Sequence, residues 1–153
     1  MSFFVDANVI VYAAVPSRYR EPCLEILDAI ARGAAEGRTS TAVLEEVWHL
    51  ELSGRAGRIA GLTTRAYSAF TPLLPVTDEI IARALTLDAR RLGANDRIHV
   101  ATALVHGIDA IVSADAGFDR VSGIRAVDPL DPRGRARLLS PGEGRSVRRA
   151  KQR

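Results

Sequence analysis

The sequence is poor in cysteine and has no long apolar run. With Cys23 as the only cysteine, an intramolecular disulfide is impossible, and a metal site or thiol pair built on two cysteines is excluded. Cys23 lies in the helix-like run PCLEILDAI, which predicts a small buried side chain. No apolar run reaches the roughly 18 to 20 residues that a membrane helix needs. The first residues also lack the positive segment of a signal peptide, so we expect a cytoplasmic protein that does not associate with membranes.

Lysine is absent from residues 1–131, and the positive charge is concentrated at the end of the chain. Residues 132–153 carry seven arginines and one lysine against one glutamate, a net charge of +7. Residues 1–131 carry 13 basic and 17 acidic residues, a net charge of −4. The C-terminal segment is rich in Arg, Gly, Ser and Pro and has little to bury. We therefore predict one folded domain, residues 1–131, and a basic, disordered tail, residues 132–153, which attracts polyanions without conferring chemistry.

Short apolar runs alternate with helix-periodic segments between residues 2 and 127. This alternation predicts an α/β fold with a mostly parallel central sheet flanked by helices. The predicted strands are Ser2–Val5, Arg38–Ser40, Leu73–Val76, Asp109–Ser113 and Ile124–Val127. The predicted helices are Glu21–Ala35, a segment that begins after Ser40 or Thr41, Ala56–Phe70, Asp78–Leu92, and a segment from Asn95 or Asp96 to Gly107. Gly37 is expected to end the first helix, and Trp48 and Phe118 are expected in the core.

Four acidic residues fall where chemistry is expected in such a sheet. Asp6 directly follows the first predicted strand, Asp115 follows the run DAIVSA, Asp96 begins a helix, and Glu46 lies in the first or second turn of another. Functional groups gather at the carboxyl ends of parallel strands, so these carboxylates are expected to converge. Carboxylates held close together repel one another unless a cation neutralises them. Because Mg²⁺ and Mn²⁺ favour oxygen ligands, the pattern predicts a divalent-metal site.

Several of these residues also have simpler explanations. Asp96 can act only as a helix cap, and Asn8 can form a turn through its side chain. Asp119, four residues after Asp115, is a rival or an accessory ligand. The three histidines lie on different predicted elements without a recognised ligand spacing and are expected to be structural or exposed: His49, His99 and His106.

Three runs of the sequence resemble the motifs of the PIN-domain family. FFVDANVIVYA is similar to the opening motif, TSTAVLEEVWHL to the second, and NDRIHVATALVHGIDAIVSADAGFDRV to the third and fourth together. The matches extend from residue 3 to about residue 127 in the family's order, and the short chain resembles the VapC toxins of toxin–antitoxin pairs. The resemblance implies a PIN-like three-layer sandwich.

The resemblance also implies residue roles and partners. The matching acidic positions, which in the family bind one or two ions such as Mg²⁺ or Mn²⁺, are Asp6, Glu46, Asp96 and Asp115. Asn8 and Ser40 match supporting polar positions. The implied reaction is endonucleolytic hydrolysis of RNA, which leaves a 5′-phosphate and a 3′-hydroxyl. The implied partners are an RNA substrate, a cognate antitoxin that blocks the acidic pocket, and a second copy of the chain in a homodimer.

The resemblance leaves the choice between Glu45 and Glu46 open. The family's glutamate usually lies six residues after a small hydroxyl residue, and counting from Ser40 gives Glu46, whereas counting from Thr39 gives Glu45. Adjacent helix positions differ by about 100° in direction, so only one of the two can face the cleft. We favour Glu46 on this spacing.

Two other classes of function compete with a nuclease. A non-catalytic PIN module would bind RNA or a protein, but four intact carboxylates argue against lost chemistry. Phosphate transfer through an aspartyl intermediate also uses an Asp at a strand end. Such enzymes rely on a lysine, which residues 1–131 lack, and Asp6-Ala7-Asn8 lacks their second Asp. The absence of lysine is the sharpest discriminator against this class.

Overall fold

The computed structural model describes residues 1–140, and predictions for residues 141–153 lie outside this range. The described chain contains four strands, seven α-helices and one 3₁₀-helix. In chain order the elements are β1 Ser2–Val5, α1 Ala7–Ala14, α2 Arg20–Ala31, β2 Glu36–Arg38, α3 Thr41–Ser53, α4 Leu62–Phe70, α5 Asp78–Leu85, α6 Ala94–Val105, β3 Ala110–Val112, the 3₁₀-helix Ala116–Arg120, β4 Arg125–Val127 and α7 Pro132–Leu139. Within residues 1–140, no helix combines the length and the apolar character that crossing a membrane requires.

The four strands form one parallel sheet in the order β2-β1-β3-β4. β1 pairs with β2 on one side and with β3 on the other, where Val5 lies opposite Val112. The direction of winding therefore reverses between β1 and β3. At such a point the carboxyl ends of the strands border a crevice, and this crevice positions the candidate site.

Both faces of the sheet are covered by helices. Phe3 and Phe4 are neighbours in β1, so their side chains point to opposite faces, yet both have 0% exposed surface. Residues of α1, α3 and α6 join the strands in one apolar core that includes Ile10, Val43 and Val100. The predicted α/β fold, with a parallel central sheet flanked by helices in three layers, is confirmed.

The helix predicted for Ala56–Phe70 is shorter than the sequence pattern indicates. It begins only at Leu62, because the segment before it contains three glycines with positive φ. Gly54, Gly57 and Gly61 have φ angles of 67°, 90° and 75°, a conformation that ends a right-handed helix and that glycine adopts without strain.

The helix predicted for Asp78–Leu92 ends at Leu85, and residues 86–93 form a loop before α6. The guanidinium of Arg97, in α6, binds this loop through three carbonyl oxygens. The acceptors are Leu87 at 2.9 Å, Ala89 at 2.9 Å and Leu92 at 3.1 Å. These backbone groups are satisfied by a side chain from another element instead of by helical N–H groups. The pattern of apolar residues carries no signal of this contact.

Two strand predictions need correction. The second strand lies at Glu36–Arg38, so Gly37 is a strand residue and does not end a helix. A Cβ at Gly37 would collide with the side chain of Ile30 in α2, so close helix–sheet packing explains the glycine. The strand predicted for Leu73–Val76 is reduced to a single parallel bridge between Leu74 and Ser40.

The core predictions are confirmed for two residues and wrong for one. Phe118 and Cys23 have 0% exposed surface, and burial raises the pKa of Cys23 to about 12. The Cys23 thiol is therefore an apolar packing group. Trp48 is 56% exposed on α3, although it lies next to the buried Val47.

The prediction of a disordered tail from residue 132 is wrong for residues 132–139, which form α7. Asp131 caps this helix by accepting the N–H of Arg133 at 3.0 Å, and a proline in the first turn fits the start of a helix. Leu138 is 2% exposed, and Arg135 Nε contacts Glu25 Oε2 of α2 at 2.8 Å. The rest of the predicted tail, from residue 141, lies outside the described residues.

Candidate active site

Asp6 lies at the crevice between β1 and β3. Its backbone N–H binds the carbonyl of Val112 at 3.2 Å, and its carboxylate caps α1 by accepting the N–H of Ala7 at 2.8 Å. Only 5% of the residue is exposed. Burial raises the pKa of Asp6, and the hydrogen bond from the Ser113 hydroxyl opposes this shift. Because a buried acid costs stability, Asp6 indicates a role other than packing.

Asn8 and Ser113 hold the Asp6 carboxylate in place. Asn8 Nδ2 donates to Asp6 Oδ2 at 2.7 Å and to Ser113 Oγ at 2.9 Å, and Asn8 Oδ1 accepts the N–H of Ala114 at 3.0 Å. The Ser113 hydroxyl donates to Asp6 Oδ2 at 2.6 Å and accepts the N–H of Asp115 at 3.0 Å. Sequence reasoning missed Ser113, although it directly follows β3 as Asp6 follows β1. Its position at the end of a predicted strand was the feature of the sequence that could have identified it.

His99 reaches the acids from α6. It is fully buried, with Nε2 at 3.3 Å from Glu46 Oε2 and at 3.9 Å from Asp6 Oδ1. Within residues 1–140, His99 Nδ1 is buried without a hydrogen-bond partner. A hydrogen on Nε2, donated to Glu46, therefore leaves no buried N–H unpaired. The expectation that His99 is merely structural overlooked this contact, although its spacing of three residues from Asp96 on a helix was a signal.

The structure brings Glu46, and not Glu45, to this side of α3. The Glu46 side chain is 36% exposed and meets His99, whereas Glu45 is exposed to solvent. The sequence did not determine which of the two glutamates faces the cleft, and one contact between α3 and α6 decides for Glu46. The catalytic role of Glu46 stays a prediction.

Asp96 is the third residue of α6, whose N-cap is Gly93 and not the predicted Asn95 or Asp96. Burial, followed by the negative charge of Asp6, raises the pKa of Asp96 to about 6. The charges of Asp115 and Glu46 also raise this pKa, and His99 lowers it. The carboxylates therefore lie within electrostatic reach of one another. We call Asp6, Glu46, Asp96 and Asp115 the acidic cluster.

Asp115 is the most exposed part of the acidic cluster. It follows β3 and caps the 3₁₀-helix, accepting the N–H of Gly117 at 2.7 Å. One carboxylate oxygen is used in this way, which leaves the other available to a ligand. Asp119 is exposed in the same 3₁₀-helix, and its side chain makes no hydrogen bond or ion pair with the acidic cluster among residues 1–140.

Ser40 does not contact the acidic cluster through its hydroxyl. The hydroxyl oxygen caps α3 by accepting the N–H of Val43 at 3.2 Å. Ser40 thereby fixes the start of the helix that carries Glu46, about one and two-thirds turns later. The supporting role predicted for Ser40 stays a prediction.

The acidic cluster suits a partly hydrated divalent ion. Among residues 1–140, no three Asp, Glu, His or Cys side chains lie close enough to one point to hold a metal ion by themselves. Mg²⁺ is commonly held by one or two carboxylates and keeps several waters. The acidic cluster can supply such carboxylates. Arg97, the cation next to Asp96 in sequence, is bound to loop carbonyls instead of the acids. Burial, followed by the charges of the other acids, raises the pKa of Asp96, and a bound cation would relieve the repulsion between the acids.

Comparison with known proteins agrees with this geometry. The model of the PIN domain matches residues 3–124. Ribonuclease VapC7 of Mycobacterium tuberculosis is 31% identical over 143 residues, which cover 88% of this chain and 96% of the relative. VapC ribonuclease Mb1869c of Mycobacterium bovis is 27% identical over 133 residues, covering 79% and 95% of the two chains.

Solved structures show the same fold. The chain matches VapBC2 of Rickettsia felis, solved with a DNA fragment from the promoter, with a TM-score of 0.63 and 15% identity, covering 84% of this chain and 98% of that one. It matches the sarcin-ricin loop cleaving toxin VapC20 of Mycobacterium tuberculosis with a TM-score of 0.59 and 18% identity, covering 80% and 98%. Since the PIN-domain match covers most of the chain, this chain belongs to the PIN-domain ribonuclease family and is similar to its VapC toxins.

Proposed function

We propose that this protein is a divalent-metal-dependent endoribonuclease that acts as a VapC-type toxin in the cytoplasm. The observation that carries the proposal is the acidic cluster at the crevice between β1 and β3. Its members come from four separate segments. Burial, followed by the charges of the other three acids, raises the pKa of Asp96 to about 6. Such an arrangement costs stability and serves no packing purpose. Relatives named as ribonucleases support RNA as the substrate.

The residues of the acidic cluster divide the work of phosphodiester hydrolysis. Asp6 and its neighbouring carboxylates would hold Mg²⁺ or Mn²⁺, which would supply a Lewis acid for the phosphoryl oxygens and the attacking water. Asn8 and Ser113 fix Asp6, and His99 orients Glu46 through its Nε2 hydrogen. The attacking water must lose a proton, and Asp96 or Glu46 would accept it. Attack by water leaves a 5′-phosphate and a 3′-hydroxyl.

The test is cleavage of a labelled structured RNA by the purified protein with Mg²⁺ or Mn²⁺, with and without EDTA. We expect cleavage that requires the metal and that falls at least about 100-fold in Asp6→Asn. Asp109→Asn is the matched control, because Asp109 is an exposed acid at the opposite, amino end of β3. It should cleave like the wild type.

Two results would count against the proposal. Equal cleavage by the wild type and Asp6→Asn in EDTA would mean that the activity comes from a contaminant or another site. RNA binding without any cleavage, in either metal, would favour a non-catalytic PIN module.

We further propose an antitoxin as the partner, docked in an apolar groove between α1, α2 and α4. The groove has a volume of about 370 Å³ and is lined by residues that include Ile10, Leu24, Leu27 and Phe70. An amphipathic helix is the usual occupant of such a groove, and several structural neighbours are toxin–antitoxin complexes. An arginine or lysine carried by that partner would be attracted to the acidic cluster.

The groove is tested by growth arrest in a bacterial host that expresses this chain. An antitoxin that restores growth should fail against Ala31→Glu/Ala69→Glu, because both exposed alanines line the groove. It should still neutralise Ala34→Glu/Ala60→Glu, which carries the same charges on exposed alanines outside the groove. Neutralisation of both double variants would place the antitoxin elsewhere.

A homodimer is proposed through the apolar side chains exposed on α3 and α5. Leu52 is 75% exposed and Leu85 is 80% exposed, and a second copy of the chain would remove these large aliphatic side chains from water. We expect a dimer in sedimentation equilibrium and its dissociation in Leu85→Glu. A wild-type monomer at micromolar concentration would contradict this proposal without affecting the nuclease.

A further inference from the structure

The loop of residues 86–93, between α5 and α6, borders a second cavity beside the acidic cluster. This cavity has a volume of about 300 Å³ and is lined by residues 88–92, Gly117, Arg120 and Val121. Three of the lining side chains are arginines, Arg90, Arg91 and Arg120, against the single acid Asp88. We call it the arginine cavity. Its positive charge is opposite to that of the acidic cluster beside it.

The arginines of this cavity are available to a ligand. All three are exposed, and within residues 1–140 none forms an ion pair or a side-chain hydrogen bond. Arg97 differs from them, because its guanidinium binds the carbonyl oxygens of Leu87, Ala89 and Leu92. Arg97 therefore holds the loop in shape, and Arg90 and Arg91 are the cations that the loop presents.

Gly117 joins the arginine cavity to the acidic cluster. Its N–H donates to Asp115 Oδ1 at 2.7 Å. On the side of the loop, a Cβ at Gly117 would lie 3.2 Å from the Leu92 Cδ2 atom. One residue thus touches a candidate metal ligand and the wall of the arginine cavity, so a single polyanion can reach both.

We propose that the arginine cavity binds the phosphate backbone of the RNA substrate beside the scissile bond. This inference rests on the proposed nuclease function and adds the surface that seats the substrate. Guanidinium groups bind phosphate oxygens in a bidentate manner, and they offset the repulsion between RNA and the acidic cluster. Backbone contacts of this kind fix the position of the strand without reading its sequence.

The test measures RNA binding separately from RNA cleavage. A fluorescein-labelled hairpin RNA is titrated with full-length Asp6→Asn protein in EDTA, and anisotropy is followed from about 50 to 200 mM KCl. The same titration is made with Arg90→Gln/Arg91→Gln/Arg120→Gln added. The matched control adds Arg32→Gln/Arg55→Gln/Arg58→Gln, three exposed arginines outside the arginine cavity with an equal loss of charge.

We expect the arginine-cavity variant to bind the RNA at least about 10-fold more weakly at low salt. The negative slope of log affinity against log salt concentration should become shallower by about 0.7 to 0.9 for each phosphate group that the variant no longer binds. The control should change affinity less than about 2-fold. Equal decreases in affinity in the two triple variants, or unchanged binding in the arginine-cavity variant, would overturn the inference.

Cleavage by proteins with an intact acidic cluster distinguishes this inference from the proposed function. With the arginine cavity altered, KM for the hairpin RNA should rise about 10-fold while kcat stays within about 3-fold of the wild type. If the wild type does not cleave RNA at all, the nuclease proposal fails, whatever the binding titrations show. If it cleaves and KM is unchanged in the altered protein, only the arginine cavity is refuted.

Discussion

The two sides of the acidic cluster differ in how their acids are held. On the strand side, Asp6 is 5% exposed and its carboxylate accepts hydrogen bonds from Ala7, Asn8 and Ser113. On the helix side, Asp96 is half-buried in α6 and its side chain has no hydrogen bond among the described residues. The neighbours that affect its pKa most after burial are other charged groups.

This difference indicates two physical roles within one site. Hydrogen bonds fix Asp6 in one position, so it can serve as a rigid anchor for a metal ion. Asp96 is held by its helix alone, and the repulsion from the other acids is only partly offset by His99, so it gains most when a cation arrives. Glu46 lies between these cases, because one contact with His99 orients it.

The largest effect expected on the helix side is that of Glu46→Gln. This substitution keeps the shape of the side chain but removes the charge that faces His99 and the other acids. We expect single-turnover RNA cleavage to fall at least about 100-fold, whereas Glu45→Gln should stay within about 2-fold of the wild type. The opposite ranking of the two variants would show that the wrong glutamate had been assigned to the acidic cluster.

On the strand side, Ser113→Ala should have an intermediate effect. It removes the hydroxyl that donates to Asp6 and accepts from Asn8 and the Asp115 backbone. Removal of a group that orients a metal ligand typically costs about 10- to 100-fold in metal affinity or activity. The Mn²⁺ concentration for half-maximal cleavage should rise by about that factor, and Ser122→Ala, in an exposed turn, should not change it. Recovery in Ser113→Thr would assign the effect to the hydroxyl.

Thermal stability should change in opposite directions on the two sides. In EDTA at pH 7.5, Asp96→Asn removes a repelled charge and should raise Tm by a few degrees. This corresponds to a gain of about 1 kcal/mol in the free energy of unfolding, after screening by solvent. Asp6→Asn should lower Tm. The amide that replaces the carboxylate has one oxygen, and its nitrogen cannot accept the hydrogen bonds that Asp6 receives from Ala7, Asn8 and Ser113. Millimolar Mn²⁺ should raise the Tm of the wild type and leave both variants unchanged. A lower Tm for Asp96→Asn in EDTA would contradict the repulsion.

The smallest effect concerns pH. The pKa of Asp96 in the folded protein is about 6, above its ordinary value of 3.8, so the folded state holds this proton more tightly than the unfolded state. The resulting penalty is full above about pH 6 and is relieved as the pH falls toward 4. In EDTA, the Tm advantage of Asp96→Asn over the wild type should therefore shrink between pH 7.5 and pH 5. An advantage that is constant with pH would mean that charge is not its cause.

Much of the architecture could be predicted from local patterns. The strands at Ser2–Val5 and near Ala110–Val112 are short buried runs, and Asp6 and Asp115 follow them. The errors arise where a contact with another element decides local structure. Arg97 ends the helix predicted for Asp78–Leu92 by binding loop carbonyls, and Leu138 and Arg135 anchor a helix in a segment whose composition resembles a disordered tail.

The sequence by itself determined the identities of the acids, their order along the chain and their place after strands or on helices. These properties follow from periodicity and from the chemistry of carboxylates. Only the tertiary structure decided that Glu46 and not Glu45 joins the acidic cluster, that Ser113 and His99 support it, and that Arg97 is structural while Arg90 faces solvent. The contacts that hold the acidic cluster join residues 53 and 107 positions apart, and those of Arg97 join two different elements. Side-chain direction at such places is set by how one element packs on another.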